Sequence, residues 1–187
     1  LIEDNSLYLG QDPSSTTSTA ENNLSVGVTA LDAVTTGDAN IAIGHDALSA
    51  NTTGSGNLAI GYGAYDNADT EGNNLAIGRD ALGGSINGGE FNVAVGNFSL
   101  DANTSGDRNV ALGYVALTQN STGTYNVGIG GGALQLNSSG SSNTSLGNNS
   151  MYSNTSANYN TAIGAEALYD AARTADTDGY NTALGYN

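Results

Sequence analysis

The sequence predicts an all-β fold, a parallel β-solenoid of about ten 17-residue coils, and three observations predict it. The first is a motif, Asn-x-small-aliphatic-Gly, that returns in register along nearly the whole chain. Its Asn falls at Asn23, Asn40, Asn57, Asn74, Asn92, Asn109, Asn126, Asn143, Asn160 and Asn181, at spacings of 17, 17, 17, 18, 17, 17, 17, 17 and 21. The second is a pair of turn signals, a Gly that closes every motif and, in most units, an Asn-[Ser/Thr]-[Ser/Thr]-Gly run such as Asn51 to Gly54. The third is length: 17 residues interrupted by two turns leave no room for a useful helix. Self-similarity at a fixed period is the signature of a stacked repeat, each unit burying its apolar face only against its neighbours.

Each unit reads as short strand, Gly turn, second short segment, Asn-Gly turn. The Gly lies four residues past the Asn, at Gly27, Gly44, Gly61, Gly78, Gly96, Gly113, Gly130, Gly147, Gly164 and Gly185. Such a fixed Gly marks a bend that needs positive φ or a close backbone approach. Before it stands an aliphatic residue in every copy, from Val26 to Leu184, preceded by Ala, Ser or Gly. Three residues past the Gly comes Ala or Ser and then a large apolar residue, as in Ala47-Leu48 and Ala116-Leu117. The aliphatic residue, the Leu and the Ala together are the expected core. Stacked coils about 4.8 Å apart would place equivalent Asn above one another as an amide ladder, along a rod on the order of 50 Å long. The expected ladder is Asn40, Asn57, Asn74, Asn92, Asn109, Asn126, Asn143 and Asn160, with Gly44, Gly61, Gly78, Gly96, Gly113, Gly130, Gly147 and Gly164 at the bends.

Residues 1–22 form a lead-in that carries one degenerate copy, Asn5-Ser-Leu-Tyr-Leu-Gly10, and residues 23–187 form the repeat domain. A chain that starts at Leu1 and stops inside a repeat at Asn187 reads as a piece of something larger. So thin a coil has a small interior, and units that bury little alone rely on association. Several chains packed side by side are therefore expected.

Composition removes several functions. Of 187 residues only 11% are charged, and 18 Asp and Glu face three Arg and no Lys, for a net charge of −15. Three Arg cannot build a phosphate-contacting surface, so nucleic acid is excluded as a partner, and the acidic field repels anionic membrane. No apolar run approaches the ~18 residues of a membrane span, so membrane insertion is not expected. With no cysteine, neither disulfides nor thiolate metal sites hold the fold.

The runs Asn40-Ile-Ala-Ile-Gly44, Asn57-Leu-Ala-Ile-Gly61 and Asn160-Thr-Ala-Ile-Gly164, with Asn-Thr-Thr-Gly between units, carry a resemblance. The chain resembles the head repeats of trimeric autotransporter adhesins. It is still more similar to repeats of phage tail-fibre and bacterial surface proteins found upstream of endosialidase-type chaperone domains. The resemblance covers residues 23–187 and implies a left-handed β-roll, a homotrimeric rod, and display outside the cell, on a cell surface or on a virion. These units of 17 residues are longer than the roughly 14 to 15 of adhesin heads.

Candidate sites lie where the period breaks, since insertions in solenoids map to loops. One is the stretch from Gly83 to Phe91, with Asn87, Glu90 and Phe91 as binding candidates. The other runs from Asp170 to Tyr180, with Asp176, Asp178 and Tyr180 as candidates and Asp176 and Asp178 as weak metal ligands. No metal site is otherwise expected. Asp101 to Asp107 imitates the start of a calcium loop, but Leu112 stands where the closing Glu belongs. Structural Ca²⁺ is therefore the one cofactor considered, and none is expected. His45 sits at a variable surface position with no nucleophile constellation to serve. The carboxylate pairs Asp66/Asp69 and Asp176/Asp178 fit no glycosidase spacing that would select them. Tyr62, Tyr114, Tyr125, Tyr159, Tyr180 and Tyr186 can stack on sugars or on the neighbouring coil. The Asn-x-Ser/Thr triplets at Asn51, Asn103, Asn120, Asn137 and Asn154 match a glycosylation pattern and equally the repeat turn.

The reading is a non-enzymatic extracellular fibre segment, a tail fibre or surface adhesin. It would form a trimeric rod, join further segments of the same fibre, and present binding to host surfaces or surface glycans. Two alternatives stand beside it. One is an ice-binding solenoid, from the hydroxyl pairs Thr52-Thr53 and Ser138-Ser139 and their equivalents. The other is a polysaccharide-degrading, tailspike-like protein.

Overall fold

A computed structural model describes the backbone pairing of residues 2–3 and the full structure of residues 5–10, 19–84, 87–170 and 179–186. Among them every regular element is a strand. Strand β1 (Ile2–Glu3) runs antiparallel to β2 (Ser6–Gly10) and borders the first rung. From β2 onward eleven strands stack in chain order, each parallel to the next. They are β2, β3 (Leu24–Gly27), β4 (Ile41–Ile43), β5 (Leu58–Ile60), β6 (Leu75–Ile77), β7 (Val93–Val95), β8 (Val110–Leu112), β9 (Val127–Ile129), β10 (Thr144–Leu146), β11 (Thr161–Ile163) and β12 (Thr182–Leu184). The degenerate opening copy is itself a rung, with Leu7 beside Leu24 and Gly10 beside Gly27. Register never slips, even where the spacing lengthens: Leu75 pairs with Val93 and Thr161 with Thr182.

The backbone explains why the coil closes in 17 residues. Three positions per coil take the left-handed conformation in addition to the Gly bend. They are the residue before the repeat Asn (Tyr125, φ 58°), the second residue past the Gly (Val115, φ 51°) and the Leu of the second segment (Leu117, φ 53°). Left-handed residues cost on the order of 1–2 kcal/mol each for side chains other than Gly. Inter-coil hydrogen bonding offsets that cost at every corner, as when Leu117 N–H donates to Ala133 O at 3.0 Å and Tyr125 N–H to Asp107 O at 3.0 Å.

The interior differs from the expected one. Strand residues alternate, and the repeat Asn and the small residue two positions on face inward. Ala42, Ala59, Ala76, Ala94, Ala111 and Ala162 are wholly buried, as are Leu48, Leu82, Leu100, Leu117 and Leu134. The aliphatic residue before the Gly therefore faces outward and is only half-buried (Ile43, Ile60, Val95, Ile129), or exposed (Ile163 and Leu184). The coil is too narrow for two branched side chains, so Ala takes the inward strand position and the Leu arrives from the opposite segment.

Two columns of Asn fill the remaining interior. The first is the expected one: each Asn N–H donates to the Oδ1 of the preceding coil, from Asn40 on Asn23 (2.8 Å) to Asn181 on Asn160 (3.1 Å). The second was read only as turn chemistry. Asn51, Asn103, Asn120, Asn137 and Asn154 are buried too, and Asn137 Nδ2 donates to Asn120 Oδ1 at 2.8 Å. The two columns meet on a shared acceptor, because Asn109 Nδ2 and Asn120 Nδ2 both donate to Gly123 O, at 2.8 and 3.0 Å.

This second column is interrupted around Asn51, with Val34 at the equivalent position in the coil before it. Ala68 stands where the ladder continues, and Asn51 Oδ1 is left buried without a partner. In the same coil Tyr65 replaces the Leu, and its hydroxyl accepts from Asn74 Nδ2 at 2.5 Å. The larger ring and the smaller Ala offset one another in volume. Tyr65→Leu or Ala68→Asn alone should therefore destabilise, by a cavity or by overpacking, at about 1–3 kcal/mol. Together they should recover most of that loss by restoring a donor to Asn51 Oδ1. A double-mutant cycle in urea checks this, and additive single costs would contradict it.

Candidate interaction face

Alternation that sends Asn and Ala inward sends four other positions outward on the sheet side. They are the residue before the repeat Asn, the first and third strand residues, and the residue after the Gly. Row by row these are Gly56, Leu58, Ile60 and Tyr62, or Arg108, Val110, Leu112 and Tyr114. The two central columns run as an aliphatic strip from Leu24 and Val26 through Val127 and Ile129, and then become mixed, with Thr144, Thr161 and Thr182 in the first column. Over the ten rungs β3–β12 these four columns hold none of the chain's 18 Asp and Glu, yet they hold His45, Arg79 and Arg108. In a chain of net charge −15 this side carries no carboxylate to repel a second copy.

The outer two columns mix aromatic residues and Arg with small and polar ones. Arg79 lies over the rings of Tyr62 and Phe98, at 5.5 and 5.8 Å, and Arg108 over Phe91 and Tyr125, at 5.0 and 5.6 Å. Their charges are partnered within the chain, Arg79 Nε with Asp80 at 3.1 Å and Arg108 with Asp107 at 4.0 Å. His45 stacks on Tyr62 (5.3 Å, 13°) and Tyr159 on Tyr180 (5.2 Å, 6°). Rings stacked along the rod cover one another's faces and leave edges outward, an arrangement better suited to packing than to stacking on a sugar ring.

The expected loop residues separate into two groups. Phe91 and Tyr180 belong to the column before the repeat Asn and lie on this face, beside Arg108 and Tyr159. Glu90 sits in the ordinary coil, its N–H donating to Asp107 Oδ1 at 2.8 Å. Asn87 is exposed in the inserted stretch, its N–H on Thr104 O at 2.6 Å. The anchor of that stretch is Glu71, which sequence reasoning missed. Its carboxylate is buried and accepts from Gly88 N–H (2.9 Å) and Thr70 N–H (3.1 Å). Glu71 occupies the position that Gly holds in most coils and Ala in two, and that substitution was its only signal. Asp176 and Asp178 lie outside the described residues.

Other candidates are absorbed by the coil. Asn103, the central residue of the calcium-loop imitation, is buried with its amide on Gly106 O at 3.0 Å, so its side chain cannot join a metal shell. Among the described residues no three His, Asp or Glu are placed to hold a metal ion. Asn51, Asn103, Asn120, Asn137 and Asn154 are equally enclosed, and a glycan on Asn103, Asn120, Asn137 or Asn154 would break the second ladder. The hydroxyl pairs lie in the Asn turn rather than on a strand, and Thr104 Oγ1 bonds along the stack to Ser121 O at 2.9 Å. His45 pairs with its neighbour Asp46 at 2.6 Å. Among the described residues no helix is long and apolar enough to cross a membrane.

A second face is acidic. Burial raises the carboxyls of Asp32, Asp66 and Asp101 above the ordinary value, and neighbouring carboxylates raise them further: Asp46 acts on Asp32, Asp80 on Asp101, and Asp80, Asp46 and Asp101 on Asp66. A carboxyl raised in the folded chain holds its proton more tightly there than when unfolded, so folding opposes ionisation. Stability contributed by these three groups should fall as pH rises through their folded values and be regained as pH drops toward about 4. The melting temperature should accordingly rise between pH 7 and pH 4.5 at low salt, and Asp66→Asn should remove part of the rise. A melting temperature that falls over that range would contradict this.

No protein-family model, curated protein or solved structure matches the chain.

Proposed function

We propose that the chain is a non-enzymatic segment of an extracellular fibre, a left-handed solenoid that assembles as a parallel homotrimer through its sheet face. The observation that carries this reading is the outward aliphatic strip on a face without carboxylates. A flat apolar surface of this length marks an interaction site rather than solvent-facing scaffold. The trimer count, the handedness and the location on a cell surface or virion rest on the resemblance to adhesin-head and tail-fibre repeats. The rod's work is mechanical and multivalent: three chains carry three copies of any weak contact to a host surface, and avidity multiplies them.

Light scattering on the purified chain tests the reading. A native mass near 56 kDa, three times 18.7, is expected. Leu58→Asp/Ile60→Asp, which puts six carboxylates at the centre of a trimer, should drop it to that of one chain. A wild-type mass near 18.7 kDa would overturn the reading.

A further inference from the structure

In four of the ten rungs the two outer columns of the sheet face pair a large side chain with Gly or Ala, whereas Arg108/Tyr114 and Tyr180/Tyr186 are large on both sides and Ser142/Asn148 small on both. In two of the four the small residue stands before the Asn: Ala39 shares its rung with His45, and Gly56 with Tyr62. In the other two the sizes exchange: Tyr125 shares its rung with Gly131, and Tyr159 with Ala165. Within one chain these partners sit at opposite edges of the face and cannot touch, since six residues of extended chain span about 20 Å. The compensation has no use inside the monomer.

It has a use between copies. In a cyclic assembly of parallel chains each contact is heterologous, so the right edge of one chain meets the left edge of the next at the same height. Residues sharing a rung then become partners across the contact, a large side chain over a small one in the rungs of β4, β5, β9 and β11. Area points the same way. Ten rungs at about 4.8 Å and two aliphatic columns give a strip of roughly 500 Å², short of the ~800 Å² that each side of a stable interface buries. Including the outer columns roughly doubles it. Arg79 and Arg108 can enter such a contact because each is already held by a carboxylate and two rings of its own chain.

We infer that the outer columns are the seams of the assembly: the column before the Asn of one chain packs in register against the column after the Gly of its neighbour. This rests on the trimeric reading and adds which residues meet, in which register and in which direction. The seams set chain alignment, while the aliphatic strip supplies the apolar burial.

Cysteine pairing tests it cleanly, because the chain has no cysteine. Ala39→Cys/His45→Cys and, separately, Tyr159→Cys/Ala165→Cys are oxidised and run on a denaturing gel, with native mass measured in parallel by light scattering. The seam predicts conversion to covalent species of two and three chains in both variants, with neither single-cysteine variant going past two. A native trimer in which neither pair cross-links would overturn the seam while leaving the trimer standing. A native mass of one chain would overturn both. Cross-linking of Ala39→Cys/Tyr159→Cys in preference to the rung pairs would show antiparallel chains and overturn the register.

Discussion

Gly96→Ala should be among the most damaging single changes in the rod, at about 3 kcal/mol or more. Two terms combine there. The backbone at Gly96 has φ 133°, a region that L side chains rarely adopt, at a cost of about 1–3 kcal/mol. A methyl group would also stand 2.4 Å from Gly113 O, the backbone of the next coil, which cannot move without breaking the rung β7–β8. Gly185 separates the two terms, because it has a similar φ of 124° with nothing within 4 Å of an added methyl. Gly185→Ala should therefore cost only the conformational part. Urea midpoints of the two variants check this, and equal losses would show that the stacking contact contributes nothing. Amide exchange should localise the Gly96→Ala damage to adjacent coils, as expected of a fold with nearest-neighbour contacts.

Asn109→Ala should cost roughly 3–5 kcal/mol, from unmade hydrogen bonds more than from lost volume. Its Oδ1 accepts from Asn126 N–H at 3.0 Å, and its Nδ2 donates to Gly123 O at 2.8 Å and Asn92 Oδ1 at 3.2 Å. All of these groups are buried, so each bond lost leaves a polar atom with no access to water. Asn109→Asp should be worse than Ala at pH 7, because it aims a buried anion at two oxygen acceptors. Lowering the pH toward 4 should recover part of that loss, since a protonated carboxyl regains one donor. Thermal melts of both variants at the two pH values check this. An Asp variant as stable as wild type at pH 7 would mean that the ladder is open to water.

The comparison of ladder and strip shows which features a one-dimensional pattern carries. Asn and Gly at fixed spacing encode their own positions, because only Gly fits a bend overlain by backbone and only a stacked amide satisfies both neighbours. The repeat phase, the parallel stack and the first Asn ladder were legible for that reason. The second ladder was hidden by ambiguity: Asn51 or Asn120 before Ser/Thr and Gly is good turn chemistry whether the side chain bonds its own turn or the next coil. It does both, with Asn120 Nδ2 on Gly123 O and on Asn103 Oδ1. Glu71 was hidden more deeply, because nothing local announces a carboxylate that folds back onto an inserted strand of backbone.

The sequence by itself determined the coil: its period, its corners, its in-register stack and its low charge. The tertiary structure decided which side of each strand faces in. By hydrophobicity alone Ile43 and Ile60 belong inside and Asn40 and Asn57 outside. The opposite holds, because a 17-residue coil encloses room for Ala, one Leu and two amides and no more. That geometric limit turns the most apolar residues outward and leaves the strip through which we propose the chains associate.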